Sequence, residues 1–314
     1  MSESQTIADV LMIRPVRFAG NEQTAGSNKF QQLDVSARAD AVQAVALTEF
    51  DAFVTSLQQA GIVVHVFGDT PEPHTPDSIF PNNWVSFHAD GTVVLYPMLA
   101  PNRRLERRLD IIEALDLQRG FQVTRTLDLT HREAEQKFLE GTGSLVLDRA
   151  HRVAYACLSP RTDMDVLGEF SQRMDYDIVA FEAFDADGTA IYHTNVLMSV
   201  GEKFAAVCLD CIEPARRTAV GDMLQSTGHE LIELSVQQMS RFAGNMLQLR
   251  GQGGDRVIAM SDSAYRSLDS GQLARLERHG RIVSVAIPII ERLGGGSVRC
   301  MIAEVHLPAK QVTR

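Results

Sequence analysis

Apolar positions along this chain alternate between two spacings. Short β-branched runs at 10–14 and 62–67 read as strands. Between them, 36–60 carries helical spacing, with Ser36 or Asp34 as a cap and Gly61 as the stop. Residues 18–30, rich in Asn, Gln and Thr, read as a polar loop and a candidate lid. From residue 84 a fixed order sets in. Strands at 84–88 and 92–96 meet across Asp90-Gly91, a dipeptide suited to a tight hairpin. A helix at 104–117 and a strand at 121–128 follow. The same order of hairpin, helix and strand returns from residue 144 (helix 163–174, strand 177–181), from 195 (helix 214–227, strand 230–234) and from 245 (helix 270–279, strand 282–286).

Four copies at a period of about 50–60 residues are the mark of a repeat architecture. The first strand, helix and second strand, with a lone apolar run after Cys300, supply a fifth copy if the last strand pairs with the first. The pattern therefore predicts an α/β fold of five ββαβ units, closed on itself as a five-bladed propeller and forming a single domain over 1–314. A multi-layer α/β sandwich is the other architecture it allows. In a closed ring the loops that open the units, 75–83, 140–143, 191–194 and 241–244, gather at one end. Gly294-Gly295-Gly296 joins them there.

Composition narrows the function. The 314 residues are 45% hydrophobic, enough for a sizeable core, and carry a net charge of −10. The arginine pairs Arg103-Arg104, Arg107-Arg108 and Arg216-Arg217 lie among acidic residues, so neither nucleic acid nor an anionic membrane is an expected partner. The first nine residues are polar and no apolar run reaches spanning length; a cytoplasmic protein is expected. Four cysteines are few for a disulfide framework. Cys208-x-x-Cys211 lacks the second pair or the histidines of a zinc site, and no metal is expected. A homo-oligomer is possible.

Candidate chemistry falls in the gathered loops. Cys300 follows three glycines where a flexible loop meets an apolar run, and reads as a nucleophile or as an ordinary half-buried thiol beside a hinge. His193 precedes an apolar strand and reads as a core histidine or, facing Cys300 across the ring, as its acid–base. Glu140, flanked by Gly141 and Gly143, can orient an imidazole or make a turn. Asp77, in Pro76-Asp77-Ser78-Ile79-Phe80-Pro81, can accept from a planar cation or form an Asx-turn. Arg161 can clamp a carboxylate or lie on the surface.

Asp77–Trp84, Glu140–Leu145, Tyr192-His193-Thr194-Asn195-Val196, Arg241–Met246 and Gly294–Cys300 together resemble the guanidino-group-modifying superfamily of arginine deiminases, dimethylarginine dimethylaminohydrolases and amidinotransferases. Within it the likeness runs to the citrulline-utilisation hydrolases. The resemblance implies the pentein fold, a five-fold α/β propeller, and a soluble enzyme acting on a small ureido or guanidino amino acid without metal or organic cofactor. It implies Cys300 as nucleophile, His193 as acid–base and Glu140 as its carboxylate. Asp77 would grip substrate nitrogens and Arg161 the α-carboxylate, with Arg103 or Arg104 assisting.

One departure shapes the expected substrate. The deiminases carry an aspartate two residues after the histidine, where this chain has Asn195. An amide can donate to a neutral ureido oxygen, so citrulline, cleaved to ornithine, ammonia and CO2 through a Cys300 adduct, is the expectation. An arginine deiminase, a dimethylargininase or an amidinotransferase on the same scaffold are the alternatives, and a non-catalytic binding module is the reading from another class.

Overall fold

Helix Ala39–Gln59 joins two parallel strands, β1 (Asp9–Arg14) and β2 (Val63–Gly68). Its residues Val42, Ala46, Phe50, Phe53 and Leu57 fall on one face and are buried, and Gly61, at φ +84°, turns the chain into β2. Burying Phe50 and Phe53 stabilises the fold by about 1.5–3 kcal/mol each. The structure, a computed structural model, describes residues 3–32 and 39–310, so the expected cap at Ser36 or Asp34 lies outside the described residues.

The rest of the chain repeats this parallel unit and places an antiparallel strand in front of it. β3 (Val85–Phe87) pairs antiparallel with β4 (Thr92–Leu95), which runs parallel to β5 (Arg125–Asp128). The plan recurs in β6 (Leu145–Asp148), β7 (Val153–Cys157) and β8 (Asp177–Phe181). It recurs again in β9 (Met198–Val200), β10 (Phe204–Val207) and β11 (Glu230–Glu233), and in β12 (Leu247–Arg250), β13 (Arg256–Ser261) and β14 (Arg281–Val285). The fifth sheet takes its leading strand from the far end of the sequence. β15 (Ala303–Glu304) pairs antiparallel with β1, Val10 opposite Glu304 and Leu11 opposite Ala303. Five three-stranded sheets thus share one plan, the α/β fold of five pseudo-repeated units that the sequence pattern predicts.

Leading strands lie side by side: β15 touches β3, β6 touches β9, and β9 touches β12. Residues before β1 fasten them from within. Gln5 Nε2 donates to the carbonyls of Leu147 and Val200, in β6 and β9. Glu3 meets the buried Arg149 at 2.7 Å. No helix among the described residues is long and apolar enough to cross a membrane.

Several expected boundaries shift. The helix at 104–117 is two pieces, a 3₁₀ segment Pro101–Glu106 and an α-helix Leu109–Leu117. The strand expected from 121 begins at Arg125, with Phe121 bridging to Ala309 instead. The strand expected from 195 begins at Met198, because Thr194–Leu197 forms a helical turn. A like turn, Gly141–Ser144, precedes β6, and Cys300 itself sits in a 3₁₀ turn, Val298–Met301, ahead of β15. These turns aim polar side chains inward at the common end of the sheets.

Candidate active site

The nucleophile candidate is held by backbone and amide contacts. Cys300 is 4% exposed, and its N–H donates to Ser297 O. Ser297 Oγ in turn donates to Glu291 Oε1 at 2.7 Å, in helix Pro288–Gly294. The start of that helix is fixed by Glu49, whose buried carboxylate accepts the N–H groups of Ile289 and Ile290. Gly295 needs to be glycine. Its φ is +63°, and a Cβ there would lie 2.5 Å from Asn28 Nδ2 and 2.7 Å from Gln31 N. Its carbonyl accepts the Tyr192 hydroxyl at 2.6 Å.

Two amides point at the sulfur. Asn245 Nδ2 lies 3.3 Å and Asn195 Nδ2 3.5 Å from Cys300 Sγ. Asn245 also donates to Asn195 O and accepts the Arg299 N–H, so its orientation is fixed at both ends. The positive ends of two amide dipoles therefore rest where attack needs electron density. The Thr194–Leu197 turn directs the amide of Asn195, the residue expected at a substrate oxygen, to the thiol.

His193 and Glu140 form the second half of the site. His193 Nε2 sits 2.9 Å from Glu140 Oε2, both residues being buried. Glu140 Oε1 accepts the Leu99 N–H, and Arg161 Nη1 lies 3.3 Å from Oε2. Burial alone would raise the Glu140 pKa, but Arg161, His193 and Arg103 together hold it well below the usual carboxylate range. Burial dominates at His193, where it outweighs the pull of Glu140 and lowers the imidazole pKa to about 4. At neutral pH the ring is therefore uncharged, its Nε2–H directed at Glu140 and Nδ1 left as the basic nitrogen. Gly143 makes room there, since a Cβ would come within 2.7 Å of Nδ1.

Asp77, Arg161 and Arg103 line one narrow cavity with Cys300, His193, Phe80, Asn83 and Tyr192. Asp77 Oδ2 accepts from Asn21 at 2.7 Å, while Oδ1 is buried with no hydrogen-bond partner among the described residues. Arg161 donates through Nη2 to Ser27 Oγ at 2.7 Å and stacks on the Tyr192 ring. Asn21 and Ser27 belong to the polar loop at 18–30, which lies over the cavity and contains the short helix Glu22–Ala25.

Of the two arginines at 103 and 104, only Arg103 reaches the cavity. It pairs with Glu106 at 2.9 Å and donates to Asn83 Oδ1 at 2.9 Å. Burial opposes its charge, but Glu106 and Asp77 outweigh it and hold the guanidinium protonated. Arg104, the alternative to Arg103 as a substrate contact, donates to the carbonyls of Met98 and Leu99 and lies over the Phe138 ring. Sequence reasoning gave no role to Asn245 or Asn83. Asn245 stood within a quoted motif, but its place beside the thiol depends on a contact between distant loops.

Fold and site together define a class, the guanidino-modifying hydrolases of the pentein superfamily. The chain belongs to the family described as N,N dimethylarginine dimethylhydrolase, eukaryotic, whose model it matches over residues 14–307. No curated protein sequence matches it. Among solved structures it is similar to the product-bound N-terminal domain of ArgZ, an arginine dihydrolase from the ornithine–ammonia cycle in cyanobacteria. That likeness has 16% identity and a TM-score of 0.73 and covers 96% of this chain and 100% of that one. A cysteine-to-alanine variant of AgrE with L-arginine matches at 15% identity and a TM-score of 0.74, over 97% of this chain and 41% of that one. A histidine-to-glycine dimethylarginine dimethylaminohydrolase with an S-methyl-L-thiocitrulline adduct matches at 16% identity and a TM-score of 0.64, over 95% of this chain and 99% of that one. At these identities the likeness carries the fold.

Proposed function

We propose that this chain is a cysteine hydrolase of a guanidino amino acid, arginine or an N-methylated arginine, acting through a covalent Cys300 adduct. The observation that carries this reading is the shared cavity of Cys300, His193 and Asp77, in which the buried Asp77 Oδ1 has no hydrogen-bond partner among the described residues. A guanidinium presents N–H donors in a plane and supplies what that oxygen lacks. The family's name for a methylated arginine supports a guanidino substrate over the citrulline expected from Asn195. With the Asn195 amide directed at the sulfur, the argument for a ureido oxygen at that residue lapses.

In this reading the reaction runs in two halves. Cys300 Sγ attacks the central guanidinium carbon as its proton passes to His193 Nδ1. His193 hands that proton to the departing nitrogen, the C–N bond breaks, and an amine or ammonia leaves. A thiouronium adduct remains on Cys300. Water attacks its carbon while His193 takes a proton, the C–S bond breaks, the sulfur regains its proton and a ureido product is released. Glu140 orients the imidazole throughout and stabilises it while charged. Arg161 and Arg103 are the cations for the substrate carboxylate.

A second reading rests on Asn83. It lines the cavity, and its buried Nδ2 has no hydrogen-bond partner among the described residues. That amide can hold a ureido oxygen, and would let the same site act on citrulline, releasing ornithine. Incubation with arginine, N-methylated arginine and citrulline, measuring ammonia, methylamines, citrulline and ornithine, tests both. Citrulline from either arginine supports the first reading, and ornithine from citrulline supports the second. No turnover of any of the three overturns both.

A further inference from the structure

A second cluster of chemistry-bearing side chains lies at the other end of β6. Asp148 closes that strand and is fully buried. His151 follows in the turn between β6 and β7, with its side chain 37% exposed. His229 comes from the next unit, between helix Pro214–Ser226 and β11, and is buried. The Asp148 carboxylate and one ring nitrogen from each histidine lie within 4.8 Å of one another. His151 Nδ1 is 2.8 Å from Asp148 Oδ1, and His229 Nδ1 is 3.8 Å from Asp148 Oδ2.

The surroundings of His229 give the cluster a direction. Its Nε2 faces the Gly201 carbonyl at 3.1 Å, an acceptor only, so Nε2 carries a proton. This is the backbone-carbonyl contact that commonly fixes the tautomer of a metal-bound histidine and leaves the other nitrogen as the ligand. That other nitrogen is surrounded by oxygen. Thr227 Oγ1 lies at 2.9 Å, Leu224 O at 3.3 Å and the Asp148 carboxylate beyond them. Leu224 O only accepts, and the single Thr227 hydroxyl proton is shared with the Met223 and Leu224 carbonyls, so the Nδ1 lone pair is open to a cation.

We propose that Asp148, His151 and His229 form a binding site for a divalent transition metal, zinc by its ligand chemistry. Two imidazoles and one carboxylate are a borderline-soft set that suits zinc over magnesium or calcium. The exposed edge of His151 gives the ion an entry path and leaves room for a solvent ligand at the fourth position. The ion would be a clip between units, since it joins the β6–β7 turn of one to the helix–strand turn of the next. It takes no part in the proposed hydrolysis, because Ser144, which accepts the Glu140 N–H, sits before β6 and Asp148 ends it.

The test uses the full chain without a polyhistidine tag, in a Cys300→Ala background so that the catalytic thiol cannot hold the metal. Metal-free protein is titrated with zinc by calorimetry and melted with and without one equivalent. The expected result is one bound zinc per chain and a higher Tm with zinc. Adding His151→Ala should abolish both; because it also removes the 2.8 Å partner of the buried Asp148 carboxylate, the Tm of each variant with zinc is compared with its own metal-free Tm. Failure of the Cys300→Ala protein to bind zinc overturns the proposal. So does zinc binding, or a zinc-dependent rise in Tm, that survives His151→Ala.

Discussion

Asn245 Nδ2 lies 3.3 Å from Cys300 Sγ while Asn245 Oδ1 accepts the N–H of Arg299, the residue just before the cysteine. One amide thus holds both the sulfur and the turn that carries it. Replacing Asn245 by Ala should lower kcat by roughly 10²-fold, the scale seen on removing one preorganised donor from a reacting centre. Asn245→Asp should do no better, because a carboxylate cannot donate to sulfur. Steady-state kinetics of both variants, with circular dichroism as a check on folding, measure this.

Glu140 serves the imidazole and two arginines at once. Glu140→Gln should cut kcat by about 10⁴-fold, as in triads whose orienting carboxylate becomes an amide. It should also cost stability, on the order of 3–5 kcal/mol, by leaving buried cations with less countercharge. Cys300→Ser, by contrast, should abolish turnover with little change in Tm. Chemical denaturation and activity, read together, separate the two variants.

The pKa of His193 is lowered to about 4, chiefly by burial, against an ordinary value near 6.5. The folded protein therefore binds fewer protons than the unfolded chain between these values, and stability falls as pH drops from about 6.5 toward 4. The loss attributable to this group is about 3 kcal/mol once the pH is below both values. Glu140, held low by its cations, adds a further loss only below the ordinary carboxylate range. In His193→Gln, the slope of stability against pH between 6.5 and 4.5 should flatten, as urea denaturation at several pH values will show.

Asn21 and Ser27 engage Asp77 and Arg161, the groups assigned to the substrate. Entry of a ligand therefore requires residues 21–28 to move, and a bound ligand should change their protection. Amide hydrogen exchange in this segment should slow in the presence of a saturating, unreactive carboxylate-bearing amine such as ornithine. Unchanged exchange would mean that substrate enters by another path.

Much of this was legible in the residues. Asp90-Gly91 and the recurring hairpin, helix and strand announced five units, and β15 does pair with β1. Cys300, His193 and Asp77, read from separate loops, do line one cavity. The choice between Arg103 and Arg104 was beyond sequence, because neighbours in a 3₁₀ turn point about 120° apart and nothing in their spacing says which faces inward. The contact of Asn195 with the sulfur was beyond sequence for a related reason. An alternating strand was expected where Thr194–Leu197 coils, and that coil turns the amide onto the sulfur. The metal-ligand cluster was invisible because its third member, His229, arrives from another unit.

Pairing β15 with β1 has a consequence for when the enzyme comes to exist. Val10 and Glu304 meet across almost the whole sequence, and the turn holding Cys300 ends just before β15. Four units can gather by local contacts, but the nucleophile is delivered only with this last and most distant one. Catalytic competence should then lag behind secondary structure during refolding, so that the appearance of activity times the closure of the fifth sheet.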